Sequence, residues 1–171
     1  MNVVNGKLHF EPTSRVEVAT LKHAEELGET MDPAYKAACA AAGLLPLEAA
    51  MRMVYVATNA YALLIGGRTA AVFGVCAAPA AHATAFAETR TSKGELFCLL
   101  GTQMARAPET GLRRIKQAVA ELLKHFDELG GVIDAGNQRA LQFAQFLGAE
   151  LDDSKPYGPL GLPHVRFTLR G

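Results

Sequence analysis

The sequence predicts a single α/β domain built on a mixed sheet with helices on both faces. Three observations carry this expectation. In some segments apolar residues recur every three or four positions, the period of a helix with one buried face. In others they alternate, or run unbroken between turn signals, as strands do. The two kinds of segment interleave along the chain instead of segregating into halves. At 171 residues one domain is expected, and such a length buries a core without disulfides or metals.

The elements follow in order. Residues 1–14 carry little pattern and read as a flexible arm, so the domain is expected over 15–171. "RVEVAT" alternates and predicts a first strand. Thr20 can then N-cap a short helix through Glu29. In "MDPAYKAACAAAG" Asp32 is a good N-cap, Pro33 suits the first helical position and Gly43 suits the stop. "LPLEAAMRMVYVAT" repeats the device with Pro46. "AYALLIGGRTAAVFGVCA" holds two apolar runs split by "GGR" and predicts a β-hairpin. Pro79 to Lys93 reads as a loop, and "GELFCLLGT" as a buried strand. The next helix is expected to bury Leu112, Ile115, Val119, Leu122, Phe126 and Leu129 and to end at Gly130 and Gly131, with His125 on its polar side. "GVIDAG" predicts a short strand, Asn137 caps a helix to Gly148, and a turn-rich tail leads to a last strand at His164 to Arg170.

Composition excludes some functions. Lys plus Arg and Asp plus Glu number 17 each, which leaves no broad electrostatic footprint for a nucleic acid. No apolar run reaches the ~18 residues of a membrane span, and "MNVVNGKLHF" lacks the features of a signal peptide. Cys39, Cys76 and Cys98 form no CxxC pair and read as reduced thiols, which suits a cytoplasmic setting. The five histidines, His9, His23, His82, His125 and His164, show no metal-ligand spacing. No GxSxG nucleophile elbow is present.

The order of elements from about Arg15 onward resembles the GNAT fold of acyl-CoA-dependent N-acetyltransferases. The most specific stretch is "NQRALQFAQFLGAEL". The family's late helix begins with Asn, carries Ala three residues on and ends in Leu-Gly; Asn137, Ala140, Leu141, Leu147 and Gly148 keep that register. The resemblance implies a mostly antiparallel central sheet. A narrower one covers "VEVATLKHAEELGETMDPAYKAA", "AAVFGV", "FCLLGT" and "PYGPLGLPHVRF", which are similar to phage internal virion assembly proteins of short-tailed phages and prophages. That similarity implies a gene product of the bacterial host's cytoplasm, associated with the virion, whose partners are virion or assembly proteins.

In GNAT enzymes the loop after the fourth strand reads Gln/Arg-x-x-Gly-x-Gly/Ala, and its backbone N–H groups, with a helix N-terminus, hold the CoA pyrophosphate. Arg106 to Gly111 match at the first and last positions, with Glu109 at the middle glycine. The resemblance implies Leu100, Gly101, Thr102, Arg106, Gly111, Leu112, Arg113 and Asn137 as the residues that would hold acetyl-CoA. A carboxylate about 4 Å from a phosphate repels it by roughly 4 kcal/mol at a near-surface dielectric. Pro108 has no N–H to donate, and both residues suit the first turn of an unliganded helix.

The family's usual acid, a tyrosine seven residues after the helix Asn, is Ala144 here, which has no proton to give. Ala149 replaces an aromatic that often follows Leu-Gly. Tyr157 in the tail and Glu95 at the head of "ELFCLLG" are the acid and base candidates that stay. The fold signal is kept while the chemistry signal is eroded. The main expectation is therefore a GNAT-fold virion assembly protein with weak or no acetyl transfer and no cofactor, using surface loops such as the one bearing Phe86. The alternatives are an acetyl-CoA-dependent N-acetyltransferase with a degenerate pyrophosphate loop, and a module that holds a CoA-like ligand without turnover.

Overall fold

The computed structural model describes residues 2–4, 7–9, 12–77, 93–158 and 160–171. Within the first fourteen residues, β1 (Asn2–Val4) pairs with β2 (Lys7–His9), and β3 (Ser14–Val18) opens the main sheet. Three helices follow: α1 (Leu21–Thr30), α2 (Pro33–Ala41) and α3 (Pro46–Val56). Their starts are local chemistry. Thr20 N–H donates to His23 Nδ1 at 3.1 Å, Ala34 N–H to Asp32 Oδ1 at 2.9 Å, and Leu45 N–H to Glu48 Oε2 at 3.1 Å. Each satisfies a donor that the helix itself leaves over.

The predicted hairpin is β4 (Asn59–Ile65) and β5 (Arg68–Ala77). Its turn residues Gly66 and Gly67 both have positive φ, 59° and 77°, as the tight turn that matches strand twist requires. The loop expected over 79–93 lies outside the described residues, Phe86 included, except that Lys93 starts β6 (Lys93–Leu100). A 3-10 turn at Thr102–Arg106 leads into α4 (Pro108–Leu122). Then come β7 (Glu128–Asp134), α5 (Gln138–Leu147), β8 (Glu150–Leu151), β9 (Lys155–Tyr157) and β10 (Leu162–Arg170).

The main sheet has the order β3-β4-β5-β6-β7-β10-β8, with β9 also on β10. Every pair is antiparallel except β6 and β7, so the mixed, mostly antiparallel α/β sheet is the observed one. One core packs α4 and α5 on the sheet through Ile115, Val119, Phe143 and Ala144; a second gathers α1, α2 and α3 through Ala24, Tyr35, Cys39 and Ala50.

The fourth helix is shorter than its periodicity predicts. It stops at Leu122, and His125 lies in the turn beyond it, its N–H donating to Leu122 O at 2.9 Å. Leu129 reaches the same core from β7, so a strand continues the apolar spacing of the helix. Gly130 and Gly131 stop nothing. They sit inside β7, where a Cβ on Gly130 would come within 2.9 Å of the Phe167 carbonyl oxygen. The tail also holds a short strand, β9, where only a loop is expected from its turn residues, and β8 stands just before it; β10 supplies the partner that makes both strands.

Candidate functional site: a cleft where two parallel strands part

The ladder between β6 and β7 is only three pairs long and ends at Glu95 opposite Gly130. Beyond it β6 keeps pairing with β5 as far as Leu100, while β7 turns away toward β10. The peptide groups of Leu96, Cys98 and Leu100 alternate away from β5. At the end of this open edge, Leu100 O accepts from Asp32 N–H at 2.9 Å. One edge of β6 therefore faces a cleft that no strand among the described residues covers.

A cavity of about 250 Å³ fills the fork, walled by β6, β7, α2 and α5 and touching Glu95, Cys98, Asn137 and Ala144. A second, of about 470 Å³, lies between the head of α4 and α5, against Leu100, Gly101, Thr102, Pro108 and Leu112. Tyr35 and Phe143 line both. A shallower hollow of about 280 Å³ on the outer side of the fork holds Glu95, Tyr157 and Arg166.

Electrostatics differ along the cleft. The Tyr35 phenol is buried and makes no hydrogen bond among the described residues; burial, with Cys98 and Asp32 nearby, pushes its pKa up, so it keeps its proton. Burial likewise pushes the Cys98 thiol up to about 12, an unreactive thiol. Arg139 donates to Asp32 Oδ2 at 2.9 Å, tying α5 to the head of α2. Among the described residues it is the one basic side chain lining the outer cavity, which Asp32 lines too, beside the positive end of the α4 dipole.

Of the residues expected to hold a cofactor, Leu100, Gly101, Thr102, Leu112 and Asn137 line the fork or the outer cavity. Arg106, Gly111 and Arg113 line neither. Arg106 reaches back toward Gly66 in the β4–β5 turn. Gly111 is buried against Met104, whose Cε would lie 2.9 Å from an added Cβ; here the glycine serves packing. Arg113 pairs with Glu109 at 3.3 Å, both exposed, so the carboxylate expected to repel a phosphate points along the helix surface. Asn137 Oδ1 accepts from Ala140 N–H at 3.1 Å and caps α5 as predicted.

Glu95 and Tyr157, distant in sequence, share the outer hollow. Nothing in the sequence marks Tyr35 or Arg139 as residues of the cleft. A tyrosine in an alanine-rich helix signals only packing, and only the fold brings α2 and α5 to the mouth of β6. Among the described residues no three His, Cys, Asp or Glu side chains gather as a metal site, and no single helix is long and apolar enough to cross a membrane.

No protein-family model and no curated protein matches the chain. Solved structures do match. The ribosomal-protein-alanine N-acetyltransferase of Brucella melitensis aligns with TM-score 0.64 at 16% identity, over 92% of this chain and 99% of its own. An acetyltransferase from Thermus thermophilus aligns with TM-score 0.61 at 18% identity, over 93% and 97%. The aminoglycoside acetyltransferase AAC(6')-Ib, in complex with ribostamycin and coenzyme A, aligns with TM-score 0.66 at 14% identity, over 92% and 93%. A structure of GNAT-family acetyltransferase from Streptococcus pneumoniae matches over 92% of the chain with TM-score 0.60. At these identities it is the fold that is shared, and that fold is the one of the GNAT acetyltransferases.

Proposed function

We propose that the protein is an acetyl-CoA-dependent N-acyltransferase. The parting of β6 from β7 beyond Glu95 carries this reading, because it leaves a strand edge and a deep apolar cleft with a helix N-terminus at its outer end. The fit is chemical. The β6 edge that β7 leaves uncovered suits an amide-bearing arm, and the head of α4 with Arg139 suits a phosphate. When bound, acetyl-CoA supplies a thioester to an amine.

The chain's own residues divide the remaining work. Leu100, Gly101, Thr102, Leu112 and Asn137 line the walls. Glu95, exposed at the fork, takes the proton an ammonium must lose before it attacks. Tyr35 holds a phenolic proton inside the cleft, where Ala144 has none, and gives it to the departing thiolate.

Calorimetric titration with acetyl-CoA tests the reading. Saturable binding is expected, followed by thiol release when an amine is added. No heat up to millimolar ligand would overturn it. A second reading, an internal virion assembly protein with no cofactor and virion partners, draws on the four sequence stretches quoted above and on Ala144. It predicts recovery of virion proteins in pull-downs from prophage-induced cells, together with a silent titration.

A further inference from the structure

We propose that a hollow of about 570 Å³ between the end of α2 and the β9–β10 hairpin is the acceptor subsite for a small monoamine with an apolar body, held by Asp134 and His164. This rests on the acyl-transfer reading above and names the substrate class for it.

The hollow adjoins the fork: Ala38, Val132 and Asp134 line both. Its remaining walls are the alanines of α2 and Leu160 and Leu162 of the hairpin, with three polar side chains, Asp134, His164 and Tyr157. Among the described residues no lysine or arginine lines it, so the single carboxylate calls for a cation. Asp134 Oδ1 accepts from Gly136 N–H at 2.6 Å, which fixes the carboxylate and leaves Oδ2 for a ligand.

His164 stands opposite Asp134 in the β7–β10 ladder. Its Nδ1 lies 2.8 Å from Leu162 O. A carbonyl only accepts, so Nδ1 carries the proton and Nε2 of the neutral ring is a second acceptor. The Tyr157 ring, 5.4 Å from that of His164, adds an aromatic face suited to a cation. An ammonium meets two acceptors and a π face; an apolar body meets methyl groups. Among the described residues the apolar walls offer a second ammonium no acceptor of its own, so a monoamine with an apolar body fits better than a polyamine.

Phenethylammonium and spermidine are the probes, titrated into the full chain. Phenethylammonium is expected to bind saturably and more tightly than spermidine. Asp134→Asn keeps the Oδ1 acceptor of the turn but loses the charge, and should weaken phenethylammonium about tenfold or more. Ala41→Phe fills the hollow from an exposed position and should abolish binding. Acetyl-CoA affinity should stay within twofold of wild type in Ala41→Phe, whose position lines the hollow and not the fork. Spermidine binding as tightly, or phenethylammonium indifferent to both substitutions, would overturn the proposal, as would acetyl-CoA binding with no phenethylammonium binding at all. If phenethylammonium binds and responds as described while acetyl-CoA gives no heat, the amine site stands and the acyl-transfer reading falls.

Discussion

Replacing Tyr35 by Phe separates chemistry from packing. The ring is 8% exposed and fills the junction of the two cavities, and Phe conserves that volume. The hydroxyl makes no hydrogen bond among the described residues, so removing it forfeits none. It only relieves the desolvation of a polar group, and stability should hold within about 1 kcal/mol or rise slightly. If the phenol protonates the departing thiolate, its loss should cost roughly 10²–10⁴ in turnover, the usual worth of a positioned acid. That is about 3–5 kcal/mol of barrier. The assay is thiol release from acetyl-CoA in the presence of phenethylamine, with acetyl-CoA affinity measured in parallel by calorimetry. The expected result is a fall in kcat at unchanged affinity. A kcat within threefold of wild type would refute the role. A loss of affinity at unchanged kcat would make Tyr35 a wall of the cleft and no more.

Three further outcomes follow from packing and charge. Asn137→Ala removes the side-chain cap of α5 and should cost about 1 kcal/mol in urea unfolding, with Asn137→Ser recovering most of it; an unmoved midpoint would count against the cap. Ile115→Ala empties a fully buried position under α4 and should cost about 2–5 kcal/mol, lowering Tm by about 2–4 °C per kcal/mol for a chain of this size. Burial alone would raise the pKa of Glu26, but hydrogen bonds from Thr69 and Arg68 outweigh it and hold the carboxyl below its ordinary value. A depressed pKa contributes stability above the unfolded value that is lost as pH falls through the folded one. Glu26→Gln should therefore flatten the acid side of the Tm–pH curve, and an unchanged slope would refute the assignment.

What the sequence by itself determined about this protein is its local punctuation. Asp32 and Asn137 cap helices because each side chain accepts from an N–H two or three positions on, and the Thr20 N–H finds its acceptor three positions on in His23. Pro33 and Pro46 open helices because their rings preset φ. Gly148, at φ 97°, ends α5 because a left-handed residue stops the turn. The interleaving of periods sufficed for the class of fold, and the register of the Asn137 helix for its likeness to the GNAT fold. Periodicity misled at Leu129, since a core accepts an apolar side chain from a helix or a strand alike. Only the tertiary structure decided the site. Glu95 and Tyr157 line one hollow although far apart in the chain, and Tyr35 enters the cleft because α2 lies over the fork. Asp134 and His164 face each other because β7 and β10 pair in that register. A cap is decided within one turn of chain, where short-range sterics and hydrogen bonds leave one outcome. A cleft is decided by where two strands stop pairing, and that depends on every residue packed against them.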